Sequence, residues 1–174
     1  MDAVLLIERL IGLGLAAHGA QKLFGWFGGY GLAGTGGFFE SLGFRPGKLF
    51  AGAAGLSELI GGLLIAVGLA APVAAMLVIA VMIVATFTVH IDKGFFGQNG
   101  GWELPATYAA IALGFVASGF GAYSLDAALG LGSIWTPALS WIFIALGVVG
   151  GFANLALRRK PAAQQTPEEA AVMP

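Results

Sequence analysis

Between Lys48 and Asp92 the chain carries two ionisable side chains, Glu58 and His90, and every other residue from Leu49 to Ile91 is apolar, small or hydroxyl-bearing. A helix needs about 20 residues to cross a hydrocarbon core of roughly 30 Å, so this stretch is long enough to cross twice. Only Ala70-Ala71-Pro72 interrupts it. That tripeptide allows a tight reversal, with Pro72 at the start of the following helix, where its missing N–H costs nothing. The two halves are therefore expected to form an antiparallel transmembrane hairpin.

The rest of the chain agrees. Of 174 residues, 58% are hydrophobic and 10% charged, and mean hydropathy is +0.89, whereas soluble domains carry about a quarter charged residues. The solvent for most of the chain is lipid. Further apolar segments run from Ala3 to Phe24, Leu104 to Gly121 and Ile134 to Leu157, beside Leu49 to Ala70 and Pro72 to Ile91. The predicted fold class is all-α, a transmembrane bundle of four core helices plus a fifth. Its organisation is residues 1–128 for the core, 129–160 for the fifth helix and 161–174 for a disordered tail of Pro, Gln, Glu and Ala. No Lys or Arg precedes the first run, and Glu8 and Arg9 interrupt it, so it is expected to stay as a helix rather than leave as a signal peptide.

Lys22, Arg45 and Lys48 follow the first span, Lys93 the third, and Arg158, Arg159 and Lys160 the fifth, whereas the loops after the second and fourth carry no cation. By the positive-inside rule this predicts an outer N-terminus and a cytoplasmic C-terminus. With a net charge of −1 and most charges clustered at segment ends, nothing points to nucleic acid as a partner. With no cysteine, the chain holds no disulfide, thiol redox centre or Cys-ligated cluster of its own. Small residues recur at four-residue spacing, Ala51 with Gly55 and Gly147 with Gly151. Such stripes serve helix packing within a bundle or, for Gly147 and Gly151, homo-oligomer formation.

Ionisable groups inside spans are costly and are therefore candidate site residues. Glu8, His18 and Lys22 share a face of the first helix, and Arg9 lies on another. Glu58 sits about 15 Å along the second span, and Arg9 enters from the opposite side, so an Arg9–Glu58 ion pair is expected. Thr86 and His90 share a face of the third helix. Two histidines with no third ligand at a recognisable spacing do not make a metal or haem motif, and no metal site is assigned. A cluster that holds a polar headgroup or relays a proton is the better reading.

Then comes "HIDKGFFGQNGGWELP", residues 90 to 105. Asn99-Gly100 supplies a turn, Trp102 suits the headgroup level, and Glu103 and Pro105 suit a helix's first turn. This segment, together with "GAYSLD" at 121–126, the Arg-bearing "ERLIGLGLAAHGAQKLFG" and the Glu-bearing "GLSELIGGLLIAVGL", resembles the DoxX family of small bacterial membrane proteins over roughly residues 4–128. Trp102, Leu104 and Phe120-Gly121-Ala122 depart from the family's usual residues, and the fifth helix exceeds its four-helix core. The resemblance implies an inner-membrane subunit of an oxidoreductase system, linked to thiosulfate oxidation, quinones or oxidative stress.

The expected function is thus a quinone-associated subunit with a ligand cleft of Arg9, His18, Lys22, Glu58, His90, Asn99 and Glu103. Quinone carbonyls need donors such as His or Lys, and a carboxylate can move protons. The chain shows no electron carrier, so electrons must come from a soluble or membrane oxidoreductase partner. The rival reading is a non-catalytic anchor or assembly factor that binds a partner through Phe95, Phe96 and Trp102, or a small proton-coupled transporter.

Overall fold

The computed structural model describes residues 3–159, apart from the side chains of residues 3–5 and of Glu8; the tail at 161–174 lies outside the described residues. Every regular element within them is helical. The helices are α1 (Ala3–Phe24), α2 (Gly31–Ser41), α3 (Gly47–Val67), α4 (Ala71–Ala85), α5 (Glu103–Ser118), α6 (Leu125–Ala128) and α7 (Pro137–Ala156). A π-helical turn, Thr86–His90, and a 3-10 turn, Ile91–Lys93, continue α4.

Helices stand at all five predicted segments. Gly47–Val67, Ala71–Lys93 and Pro137–Ala156 are long and apolar enough to cross a membrane. The 22 residues of α1 span about 33 Å. The 16 residues of α5 reach only about 24 Å, because Gly119 and Gly121 take positive φ and end the helix before the predicted boundary. The hairpin is as predicted: Gly68 closes α3 in the left-handed conformation and Pro72 lies in the first turn of α4.

The connection between the first two spans is not the plain loop that its sequence implies. It contains α2, which packs on α3 and α1. Four of its eleven residues are glycine, each costing about 1 kcal/mol relative to Ala in a helix, so propensity alone argues against it. Burial supports it instead: Thr35, Gly36 and Phe39 are buried, and Phe39 sits in the core cluster with Phe44, which follows the helix. Gly36 permits the approach, since a Cβ there would lie 3.1 Å from the Lys48 backbone nitrogen.

α1 and α3 pack backbone to backbone through glycine. A Cβ added at Gly12 would lie 2.5 Å from the Gly62 carbonyl oxygen, and one at Gly19 would lie 2.5 Å from that of Gly55. In lipid, where apolar burial gives helices little drive to associate, such close contact supplies the packing energy. The Gly147–Gly151 stripe is used in the same way inside the chain: Cβ atoms there would lie 2.7 Å from the Met76 carbonyl and 3.0 Å from that of Ala80, both on α4. The stripe thus serves packing within the bundle.

Asp126, the last residue of "GAYSLD", joins the far end of α5 to the hairpin. The Ala70 N–H donates to its Oδ1 at 3.1 Å and Oδ2 at 3.0 Å, and the Asp126 N–H donates to the Gly68 carbonyl at 3.0 Å. The carboxylate thus faces the positive end of α4. At the other end, the Arg159 N–H donates to the Gly43 carbonyl at 2.8 Å and Arg158 Nε donates to that of Leu42, tying the end of α7 to the α2–α3 connection.

Candidate functional site

A cavity of about 290 Å³ opens among α1, α3, α4 and α5, with Phe39 of α2 on its wall. Its polar lining is His18, Lys22, Glu58, Thr88, His90 and Tyr108; Leu15, Val81, Met82 and Leu104 supply apolar walls.

His18 and Lys22 are four positions apart, so one face of α1 presents both. Lys22 Nζ donates to Glu58 Oε2, forming a salt bridge in which the Glu58 side chain is 6% exposed and that of Lys22 28%. This corrects the expected Arg9–Glu58 pair, and the glycine seam supplies the reason. Its register sets Gly19 against Gly55 and Leu59, and Gly12 against Gly62 and Ala66. Lys22 therefore lies beside the Glu58 turn of α3, and Arg9 lies beyond Ala66. Arg9 is exposed and does not line the cavity.

Each histidine is held through Nδ1. Gln21 Nε2 donates to the Phe27 carbonyl at 3.1 Å, which leaves Gln21 Oε1 to accept from His18 Nδ1 at 3.2 Å. His90 Nδ1 lies 2.6 Å from the Gly100 carbonyl oxygen. Both partners are acceptors, so Nδ1 carries the proton in each ring and Nε2 keeps its lone pair when the ring is neutral. The Tyr108 ring meets that of His18 edge-on, with centroids 6.4 Å apart.

Thr88, whose hydroxyl donates to the Val84 carbonyl at 2.7 Å, lines the cavity with His90, whereas Thr86 does not.

The glycine-rich loop holds His90 in place and contributes no polar side chain to the cavity. It folds onto itself through Trp102 N–H to Gly94 O (3.2 Å), Glu103 N–H to Phe95 O (2.9 Å) and Gly101 N–H to Phe96 O (3.1 Å). Only glycine fits at 101, where a Cβ would lie 2.3 Å from the Gly94 carbonyl oxygen, and Gly100 takes a φ of +75°. Glu103 Oε2 accepts from the Gly97 N–H at 2.6 Å. Asn99 is exposed, and neither Asn99 nor Glu103 reaches the cavity. Phe95 stacks edge-on against Trp102 at 4.8 Å, while Phe96 stays 61% exposed.

The structure thus brings together His18, Lys22, Glu58 and His90 of the predicted set, and leaves Arg9, Asn99 and Glu103 apart. Sequence reasoning missed Thr88 and Tyr108. The signal for Tyr108 was a phenol in an otherwise apolar stretch of α5, one turn after Pro105. Chemically, the cavity offers an ammonium donor, two imidazole nitrogens, a carboxylate and a phenol around an apolar slot. The ion pair keeps it near neutrality, which suits an uncharged ligand with polar atoms at its rim.

A family model described as DoxX matches residues 3–91. No curated protein and no solved structure matches the chain. The matched span covers α1 to the end of the π-helical turn and includes His18, Lys22, Glu58 and His90; Tyr108, the glycine-rich loop and α7 lie beyond it.

Proposed function

The chain belongs to the DoxX family, and from that membership we propose that it is a quinone-associated subunit of a membrane oxidoreductase system, holding the quinone headgroup in the cavity described above. One observation carries the proposal: His18, Lys22, Glu58 and His90, from three helices, line one cavity whose remaining walls are mostly apolar. Its volume of about 290 Å³ lies at the lower end of small-ligand sites, which run from about 300 to 1,000 Å³. It suits a ring, with the tail outside in lipid.

The Lys22 ammonium and a protonated imidazole can donate to the two carbonyl oxygens. Reduction to quinol takes up two electrons and two protons. The Nε2 atoms of His18 and His90, with Glu58, are the chain's own proton carriers. The electrons come from a partner, since the chain has no cysteine and no dinucleotide fingerprint. The exposed Phe95 and Phe96 favour a docking role for the glycine-rich loop. By loop charge, that loop faces the cytoplasm of a bacterial inner membrane.

The test is organic extraction of detergent-purified protein with optical and mass detection of quinone. Stoichiometric quinone in the natural sequence and its loss from a folded His90→Ala, Glu58→Gln protein support the proposal. No quinone across several mild detergents overturns it in favour of an anchor or transporter, for which Phe95, Phe96 and Trp102, or proton movement alone, would be the features that matter.

A further inference from the structure

The cavity has a larger neighbour. A groove of about 610 Å³ runs between α1 and α2, lined by Gln21, Lys22, Tyr30, Thr35 and Phe38. Lys22 lines both spaces. Successive residues of α2 serve the two sides, Phe38 on the groove and Phe39 on the cavity. The partition thus includes the Lys22 side chain and α2.

Two further features bear on what the groove does. At the turn that supplies its Gly28, Gly29 and Tyr30, the rings of Trp26, Phe27 and Tyr30 are 59%, 70% and 87% exposed. Aromatic rings left open at the end of a transmembrane helix belong at the headgroup level of the bilayer, so the groove opens where lipid meets water. The partition is also built to give way. α2 carries four glycines, and they are not all needed for packing: a Cβ at Gly37 would meet nothing within 4 Å. Glycine at that position keeps the helix weak without serving a close contact.

We infer that the groove is the lateral route by which a membrane-dissolved quinone reaches the cavity, and that α2 together with Lys22 is the leaf that shifts to let it pass. This rests on the quinone reading of the site. A ligand entering from the bilayer meets the groove first; the Lys22–Glu58 pair, Phe39 and the Gln21 side chain that accepts from His18 lie between it and the cavity. Because 28% of the Lys22 side chain is still exposed, it has room to swing aside while Glu58 keeps its place.

The test uses full-length protein in lipid nanodiscs and follows the saturable quenching of tryptophan fluorescence by a decyl-substituted benzoquinone in stopped flow. Gly37→Ala adds a methyl group that meets no neighbour and strengthens α2. If α2 must loosen for passage, association and dissociation rates both fall, by about fivefold for a glycine-to-alanine change, and Kd does not move. As the chain has no cysteine, Tyr30→Cys labelled with maleimides of increasing size gives an independent plug at the groove mouth; both rates should fall further as the label grows. Unchanged rates in both proteins overturn the route and leave the site untouched. A weaker Kd with an unchanged association rate overturns it also, because the groove would then be part of the binding site. Absence of saturable quenching in the natural sequence overturns the quinone reading itself, and the route with it.

Discussion

Lys22 and Glu58 lie 36 positions apart in sequence and form an ion pair across the glycine seam between α1 and α3. The pair sits on the wall of the cavity, so it bears on stability and, under the proposed function, on quinone retention.

Removing one partner strands the other. Lys22→Met leaves the Glu58 carboxylate 6% exposed with no cation and is expected to cost about 3 kcal/mol, at the low end for a broken buried pair because Lys22 is partly exposed. The double change Lys22→Met, Glu58→Leu should recover most of that loss. Chemical unfolding in detergent measures both, and a double variant as weak as the single one would count against this account of the pair.

The seam itself makes a sharper claim. At Gly62 a Cβ would lie 2.5 Å from the Ala16 backbone nitrogen, whereas at Gly114 it would meet nothing within 4 Å. Gly62→Ala should therefore lose about 1–3 kcal/mol through overpacking, and Gly114→Ala should be neutral or mildly stabilising. Thermal denaturation of the two proteins side by side decides it.

His90 depends on the loop for its tautomer. Gly101→Ala puts a methyl group against the Gly94 carbonyl, which must displace the loop and with it the Gly100 oxygen that accepts from His90 Nδ1. Nitrogen NMR of ring-labelled histidine should show one of the two rings lose its fixed Nδ1–H form, and quinone retention should fall by about tenfold, the cost of roughly 1.4 kcal/mol of lost orientation. An unaltered histidine spectrum would remove the loop from the site.

Asp126→Ala removes the acceptor of the Ala70 N–H at a turn where Ala70 itself takes a φ of +52°. A loss of about 1–3 kcal/mol follows from the unsatisfied donor, visible as a lower unfolding midpoint with quinone content unchanged per folded molecule.

Shortening the chain before α7 should harm the core beyond the loss of one helix. α4 would lose the neighbour that meets Met76 and Ala80 at backbone distance, and the α2–α3 connection would lose its bonds to Arg158 and Arg159. Monodispersity on size exclusion should fall for a protein ended at residue 133 and not for one that ends at residue 159.

Hydropathy and helical period determined that this chain lives in a membrane and where its long helices run, and they marked Arg9, His18, Lys22, Glu58 and His90 as costly groups inside those helices. Those signals are local: each depends on about 20 consecutive residues and their solvent. Only the tertiary structure decided which cation meets Glu58, because a register set by glycines on two helices places Lys22, and not Arg9, at its depth. It also decided that Gly100 fixes His90 while Asn99 stays outside, and that α2 forms despite its glycines. Such outcomes depend on distances between segments far apart in sequence, which neither periodicity nor composition encodes.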